Sequence, residues 1–313
     1  GGAGAATALG WLAAALVRGY RPQAGTADVS SAAGIFAAGV WGFSDAFWWE
    51  AVIGDKYAPY FLTFVLLVGL SWRCARAEAE AVPRRLAGLA LLAGVAFAHH
   101  QYSLFAIPAV AFALFRLRGL GRARAARILA LGAALAALPL STKALYPPIR
   151  SAGGVDVDWG GPDNARWLWR YLTAARYHGA LAETTIYRRP DAWGTRAEQS
   201  LGFLREEFPL ALLAAAPVGA AALLWRSPGF AAAALACLAA DAGYAVNYTE
   251  KIVRWYEPAY GLLVLLSAVG LASLAGRTAR GSRGLLAALA LAAAGWQGAR
   301  GFTRNDLSRF YGA

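Results

Sequence analysis

Residues 262–276 read LLVLLSAVGLASLAG, an apolar run with no charged side chain, and residues 212–225, LLAAAPVGAAALLW, repeat the pattern. In lipid, backbone polar groups are satisfied most cheaply inside a helix, so both stretches read as membrane-spanning helices. Comparable segments lie near 5–17, 32–47, 58–72, 86–98, 101–115, 128–145, 208–225, 229–246, 258–276 and 284–298. A single soluble core would not need apolar runs along the whole length. The 313 residues are 58% hydrophobic and 15% charged, against about 25% charged in a soluble domain. Many of the 12 Trp and 13 Tyr stand beside segment ends, as interfacial belts require. The fold class is therefore an all-α polytopic membrane protein with about ten transmembrane helices.

The net charge of +12 suggests a polyanionic partner until the charges are placed. If the first segment runs from outside to inside, the inner loops are 18–31, 73–85, 116–127, 226–228 and 277–283. These hold 15 Arg and three acids, Asp28, Glu78 and Glu80, while the rest of the chain balances to zero. The excess reports topology by the positive-inside rule, and no nucleic-acid partner is expected. This topology needs segments 86–98 and 101–115 to be two short helices meeting at His99-His100-Gln101; one long helix would scatter the Arg-rich loops over both sides.

The chain divides into N-terminal membrane helices (1–146), an extracytoplasmic segment (147–207), C-terminal membrane helices (208–298) and the start of an outer tail (299–313). Within the outer segment, PDNARWLWRYLTAARY (162–177) reads as an amphipathic helix capped by Asp163 or Asn164, suited to a membrane surface. Cys74 and Cys237 fall in or beside apolar segments and suggest neither a disulfide framework nor a metal site. The sequence has no Met and opens inside an apolar segment, from which an N-terminal extension is expected.

The unusual polar residues gather on the outer side. AFWWEAVIGDKYAPYF (46–61) carries Glu50, Asp55 and Lys56 among aromatics, either as an interfacial loop or as part of a polar site. His99 and His100 occupy a turn and lack the further ligands of a metal site. Lys143 and Asp241 lie near outer helix ends, where snorkelling to the interface is expected. Arg254 and Glu257 are the best-placed outer charges for gripping an anionic ligand and a hydroxyl. No Walker loop, dinucleotide fingerprint, serine nucleophile elbow or HExxH motif occurs. An outward-facing polar site on a helical bundle suits a membrane enzyme with a lipid-linked substrate, or a transporter.

Four stretches in order resemble the multipass proteins known as the domain of unknown function 2723 family, related to protein O-mannosyltransferases of the GT-C glycosyltransferase superfamily. They are FSDAFWWEAVIGDKYAPYF (43–61) through Asp55, Lys56 and Tyr57, and GVAFAHHQYSLFAIPA (94–109) through His100 and Pro108. The third, LYPPIRSAGGVDVDWGGPDNARWLWRYLTAARY (145–177), matches through Trp159, Gly160, Asp163 and Tyr177. The fourth is NYTEKIVRWYEPAYGLLVLL (247–266), through Tyr256, Pro258 and Tyr260. The chain departs from the pattern near Lys251, where the family usually carries Asp and only the neighbouring Glu250 is acidic. It departs again at Asp55, where Glu is commoner.

The resemblance implies a GT-C-like bundle that transfers a sugar, mannose by family, from a polyprenyl-phosphate carrier to a protein or glycan acceptor on the extracytoplasmic face. The residues offer no metal site, and the polyprenyl-phosphate-linked sugar enters as donor substrate. Arg254 or Lys56 would hold the phosphate. Glu50, Asp55 and His100 would shape the pocket or orient the acceptor, Tyr57, Asp163 and Glu257 would line it, and Trp48, Trp49, Trp159 and Trp255 would stack on sugar or lipid. The family's key acidic residues sit in its first outer loop, expected upstream of Gly1. The Ala-, Gly- and Arg-rich composition fits a high-GC bacterium and hence an inner membrane. A transporter or lipid-carrier flippase and a noncatalytic relative are the competing readings. The absence of an internal repeat and the outer clustering of polar residues weigh against transport.

Overall fold

The computed structural model describes residues 2–20, 26–52, 57–153, 164–172, 193–247, 256–275 and 281–304. Every regular element among them is helical, and the chain is an all-α polytopic membrane protein. The first half holds α1 (Gly2–Tyr20), α2 (Thr26–Gly42), α3 (Asp45–Val52), α4 (Tyr57–Ala75) and α5 (Val82–His99). A 3₁₀ helix (Gln101–Ala106), α6 (Ile107–Leu114) and α7 (Arg122–Ala152) follow. Next come α8 (Ala165–Leu172), α9 (Trp193–Glu207), α10 (Leu210–Leu213) and α11 (Ala216–Arg226). The last are α12 (Pro228–Asn247), α13 (Glu257–Ala275) and α14 (Gly281–Arg304).

Among the described residues, five helices are long and apolar enough to cross a membrane: Tyr57–Ala75, Gln101–Gly119, Arg122–Arg150, Pro228–Asn247 and Glu257–Ala275. The other five expected segments also fold as helices, though not all as single ones. Segment 32–47 breaks at Phe43-Ser44, between α2 and α3, and segment 208–225 is split into α10 and α11. With 17 residues, α2 is shorter than a full span.

Local chemistry explains where the helices stop. Pro83, Pro108 and Pro217 sit in the first turns of α5, α6 and α11, where a missing N–H costs nothing. At His100 the backbone turns extended (φ −148°, ψ 129°), ending α5 and starting the 3₁₀ helix. The Ser103 hydroxyl then donates to the Ala96 carbonyl at 3.0 Å. In an unbroken helix, positions seven apart would be separated by about 10 Å of rise, so the chain folds back at the His99-His100-Gln101 turn. Asn164 caps α8, its Oδ1 accepting from the Trp167 N–H at 3.0 Å. The α7 helix continues past Tyr146 through Pro147 and Pro148 to Ala152.

The centre of the molecule is α13, buried along nearly its whole length between α1, α2, α4, α11 and α12. Peripheral α7 rests on α5 and leaves Leu131, Leu138, Leu145 and Ile149 exposed, as a hydrocarbon-facing helix would. Without water to drive apolar association in lipid, close helix packing depends on small residues. Gly10 and Gly34 join α1 to α2 in this way, with a Cβ at Gly10 falling 2.7 Å from the Gly34 carbonyl oxygen. Gly219 and Gly270 do the same for α11 and α13: a Cβ at Gly219 would overlap the Leu266 carbonyl oxygen, and one at Gly270 the Ala215 carbonyl oxygen.

This contact predicts a sharp positional contrast. Gly219→Ala should destabilise the purified protein by about 1–3 kcal/mol through overpacking against backbone that cannot rotate away. Gly243→Ala, on α12, meets nothing within 4 Å and should be neutral or stabilising by up to about 1 kcal/mol. Thermal unfolding of both variants in detergent compares the two.

Candidate functional site

Five acidic residues from four helices converge near the first turn of α13. Pro209 disfavours a helical conformation at the residue before it, so α9 ends at Glu207. The Glu207 carbonyl accepts from Gln297 Nε2 at 2.9 Å and from Arg300 Nη1 at 3.3 Å, while Arg300 Nη2 also donates to the Glu206 carbonyl. A cation and an amide from α14 therefore cap the C-terminal end of α9, where the helix dipole favours them. Held this way, the Glu207 side chain reaches the start of α3, where its Oε1 accepts from the Ala46 N–H at 2.9 Å. It is a carboxylate cap supplied from 161 residues away.

Glu257 opens α13 and is fully buried. Its Oε2 accepts from the Trp41 indole N–H at 2.9 Å. Asp241 of α12, also buried, accepts the Ala259 N–H of α13 on Oδ2 at 2.9 Å. Asp241 does not snorkel to the interface as its position near a helix end suggests, because α13 presents a helix N-terminus that needs its carboxylate. Lys143, half-buried, turns its ammonium onto the Phe97 carbonyl of α5 at 3.4 Å. Glu50 of α3 is buried, and it lies with Glu207 and Asp241 in electrostatic range of Glu257. Asp45, in the first turn of α3, acts on Glu207.

Burial pushes the Glu207 carboxyl up to about 7, and the negative Asp45 adds to the rise. The Ala46 N–H and Arg300 pull the other way. Glu207 can therefore take up or release a proton near neutral pH. Among the described residues, no three His, Cys, Asp or Glu are arranged to hold a metal ion.

A second polar group adjoins the first. His100 is buried, with the Tyr60 ring stacked on it at 5.0 Å and Tyr57 and Tyr102 at 5.3 and 4.6 Å. Its Nδ1 accepts the Tyr102 N–H at 3.3 Å. Tyr60 donates to the Tyr102 carbonyl at 3.3 Å, and Tyr244 donates to the Tyr102 hydroxyl at 3.0 Å. The rings of Phe61, Phe47 and Trp41 bridge this group to Glu257.

Of the residues singled out from sequence, Glu50 and Glu257 join the acidic group and Tyr57 and His100 the aromatic one. Trp48 packs beside Phe43 and Trp49 is exposed. Asp55, Lys56, Trp159, Asp163, Arg254 and Trp255 lie outside the described residues. Trp41, Glu207, Tyr260, Gln297 and Arg300 belong to the site without standing out in the sequence. One signal exists for Glu207: the stretches EEFPL and YEPAY both place a glutamate one or two residues before a proline at the mouth of an apolar run.

The architecture is that of a multi-pass membrane protein with a buried carboxyl cluster at helix ends. Residues 1–120 match the model of the family described as Protein O-mannosyl-transferase TMEM260 N-terminal domain. That stretch contains Trp41, Ser44, Asp45, Ala46, Glu50 and His100, and it points to a glycosyltransferase of the O-mannosyltransferase type with a sugar donor and an acceptor. No curated protein and no solved structure matches the chain.

The proton affinity of Glu207 has a measurable consequence. A carboxyl raised from its ordinary 4.5 to about 7 binds its proton more tightly in the folded than in the unfolded chain. Its contribution is full below pH 4.5 and is lost as pH rises to 7, a change of about 3 kcal/mol. Glu207→Gln keeps an oxygen for the Ala46 N–H but cannot titrate. Melting temperatures measured from pH 4.5 to 8 should fall with pH in the parent and run flatter in the variant.

Proposed function

We propose that the protein is a membrane glycosyltransferase of the GT-C type. It moves a sugar, mannose by family, from a polyprenyl-phosphate carrier to a protein or glycan acceptor at the extracytoplasmic face of a bacterial inner membrane. The observation that carries this reading is the match of residues 1–120 to an O-mannosyltransferase family. The all-helical, multi-pass architecture and the carboxyl cluster support it.

The chemistry sets what the site must supply. The acceptor hydroxyl attacks the anomeric carbon as the bond from that carbon to the phosphate oxygen breaks, and the carrier phosphate leaves with the electron pair. A carboxylate takes the hydroxyl proton, and cationic groups hold the departing phosphate. Arg254, or Lys56, serves the phosphate. Glu50, Asp55 and His100 orient the acceptor, Tyr57, Trp159 and Asp163 line the pocket, and Glu257 faces the attacking acceptor hydroxyl.

The test is sugar transfer by full-length protein reconstituted in liposomes, with polyprenyl-phosphate mannose as donor and a Ser/Thr-containing peptide as acceptor. Transfer should be detectable in the parent and reduced about 10- to 100-fold by Arg254→Ala, the effect of losing one charge-assisted hydrogen bond. An inactive parent with every polyprenyl-phosphate sugar offered would overturn the assignment. Full activity in Arg254→Ala would remove that residue from phosphate binding.

A further inference from the structure

Glu257 Oε1, the Tyr260 hydroxyl and Gln297 Oε1 are among the buried oxygens with no hydrogen-bond partner among the described residues. Glu257 and Gln297 are fully buried and Tyr260 is 3% exposed. Glu257 and Tyr260 stand one turn apart on α13, and the Tyr260 hydroxyl is in electrostatic range of both Glu257 and Glu207. The Tyr260 ring also packs edge-on against Phe208, the residue after Glu207, with centroids 5.5 Å apart. Gln297 commits its amide N–H to the Glu207 carbonyl, so its Oε1 remains as an acceptor. The helix ends nearby are already satisfied by Glu207, Asp241 and Arg300, so capping does not account for these three oxygens.

Buried polar atoms without partners are rare in folded proteins, because leaving one unmet costs more than the bond itself contributes. The chemistry of the unmet set restricts what can fill it. Gln297 Oε1 is an acceptor, Glu257 Oε1 accepts when the carboxyl is ionised and donates when it is protonated, and the phenol can both donate and accept. A neutral hydroxyl meets both needs, donating to the carboxyl or amide oxygen and accepting from the phenol. The carboxyl groups of Glu50, Glu207, Asp241 and Glu257 bear on the same volume, and each of them that is ionised repels an anion.

We propose that Glu257, Tyr260 and Gln297 form a binding site for hydroxyl groups of a neutral ligand, separate from the place where a carrier phosphate binds. The proposal rests on the glycosyltransferase reading and deepens it. The hydroxyls come either from the sugar ring or from the side chain of an acceptor peptide.

The experiment uses the full chain in detergent, with methyl α-mannopyranoside and a Ser/Thr-containing peptide as separate probes and inorganic phosphate as a third. One of the first two should raise the melting temperature and bind measurably by calorimetry, and phosphate should compete with neither. Tyr260→Phe and Glu257→Gln should each weaken that binding about tenfold or more, the loss expected for one buried hydrogen bond. Ser71→Ala removes a buried, unpartnered hydroxyl on α4 and should leave binding unchanged. Ligand-free Tyr260→Phe should melt no lower than the parent, because an unmet hydroxyl contributes nothing to the empty protein. The proposal is overturned if neither probe binds the parent, if Tyr260→Phe binds as the parent does, or if that variant melts lower without ligand. The same preparations are assayed for transfer. Transfer that survives with no probe binding sinks the hydroxyl site alone. Binding lost in the variants as expected, from a parent that transfers no sugar, sinks the glycosyltransferase reading alone.

Discussion

The hydrogen bond from the Trp41 indole to Glu257 is the constraint around which the rest is arranged. It joins residues 216 positions apart and is fully shielded from solvent. An indole N–H buried without an acceptor, or a carboxyl buried without a donor, would be costly, so the two hold α2 and α13 in one relative position. The indole ring fixes its own surroundings as well. It packs against Phe47 at 4.6 Å and Phe61 at 6.2 Å, and it closes on Gly261 so tightly that a Cβ there would stand 3.1 Å from the ring. One turn along α13 from Glu257, Tyr260 faces the same carboxyls. With α13 fixed, α11 can approach through Gly219 and Gly270, and α12 can present Asp241 to the start of α13.

The same logic governs the helix ends. A helix end inside a membrane protein has no water to satisfy its free N–H and C=O groups, so side chains must. Here they come from distant parts of the chain. Glu207 caps α3, Asp241 caps α13, and Gln297 with Arg300 caps α9. Each acid thereby lies near the others, and burial, with the charge of Asp45 adding to it, brings Glu207 into the neutral range. The acidic cluster is thus partly a by-product of capping, and only the oxygens left over from that role invite a ligand.

The parts of this arrangement legible in sequence are those encoded by neighbours along the chain. Apolar runs identify the helices, His99-His100-Gln101 marks the end of α5, and Asn164 is a visible cap for α8. The break between α2 and α3 is hidden because Phe43 and Ser44 look no different from residues inside an apolar run. Ser44 ends the helix by donating its hydroxyl to the Trp41 carbonyl at 2.7 Å, a local bond that competes with the helical ladder. Asp241 is deceptive for a different reason. Its partner, the Ala259 N–H, sits across a segment outside any local pattern, and an acid near a helix end looks the same whether it snorkels or caps a neighbour. Of the site, Glu50, Tyr57, His100 and Glu257 stand out because they are charges or polar rings among aromatics. Gln297 and Tyr260 do not, since each is ordinary in its own helix and gains meaning only beside Glu207 and Glu257.

The division between residues 1–120 and the remainder bears on what the matched stretch can do by itself. Within 1–120 lie the Trp41 indole and the Ala46 N–H, two buried or half-buried donors whose acceptors are Glu257 and Glu207. The converse also holds: among the described residues, Glu257 takes its side-chain hydrogen bond from inside the matched stretch. Neither side satisfies its buried polar groups without the other, so the two cannot be treated as a catalytic module and a passive anchor. In this protein, carboxyl groups from a later part of the chain meet the ends of α2 and α3. The later helices are then as much a part of the site as the family-matched ones, and a substitution at Glu207 or Glu257 acts directly on residues inside the matched stretch.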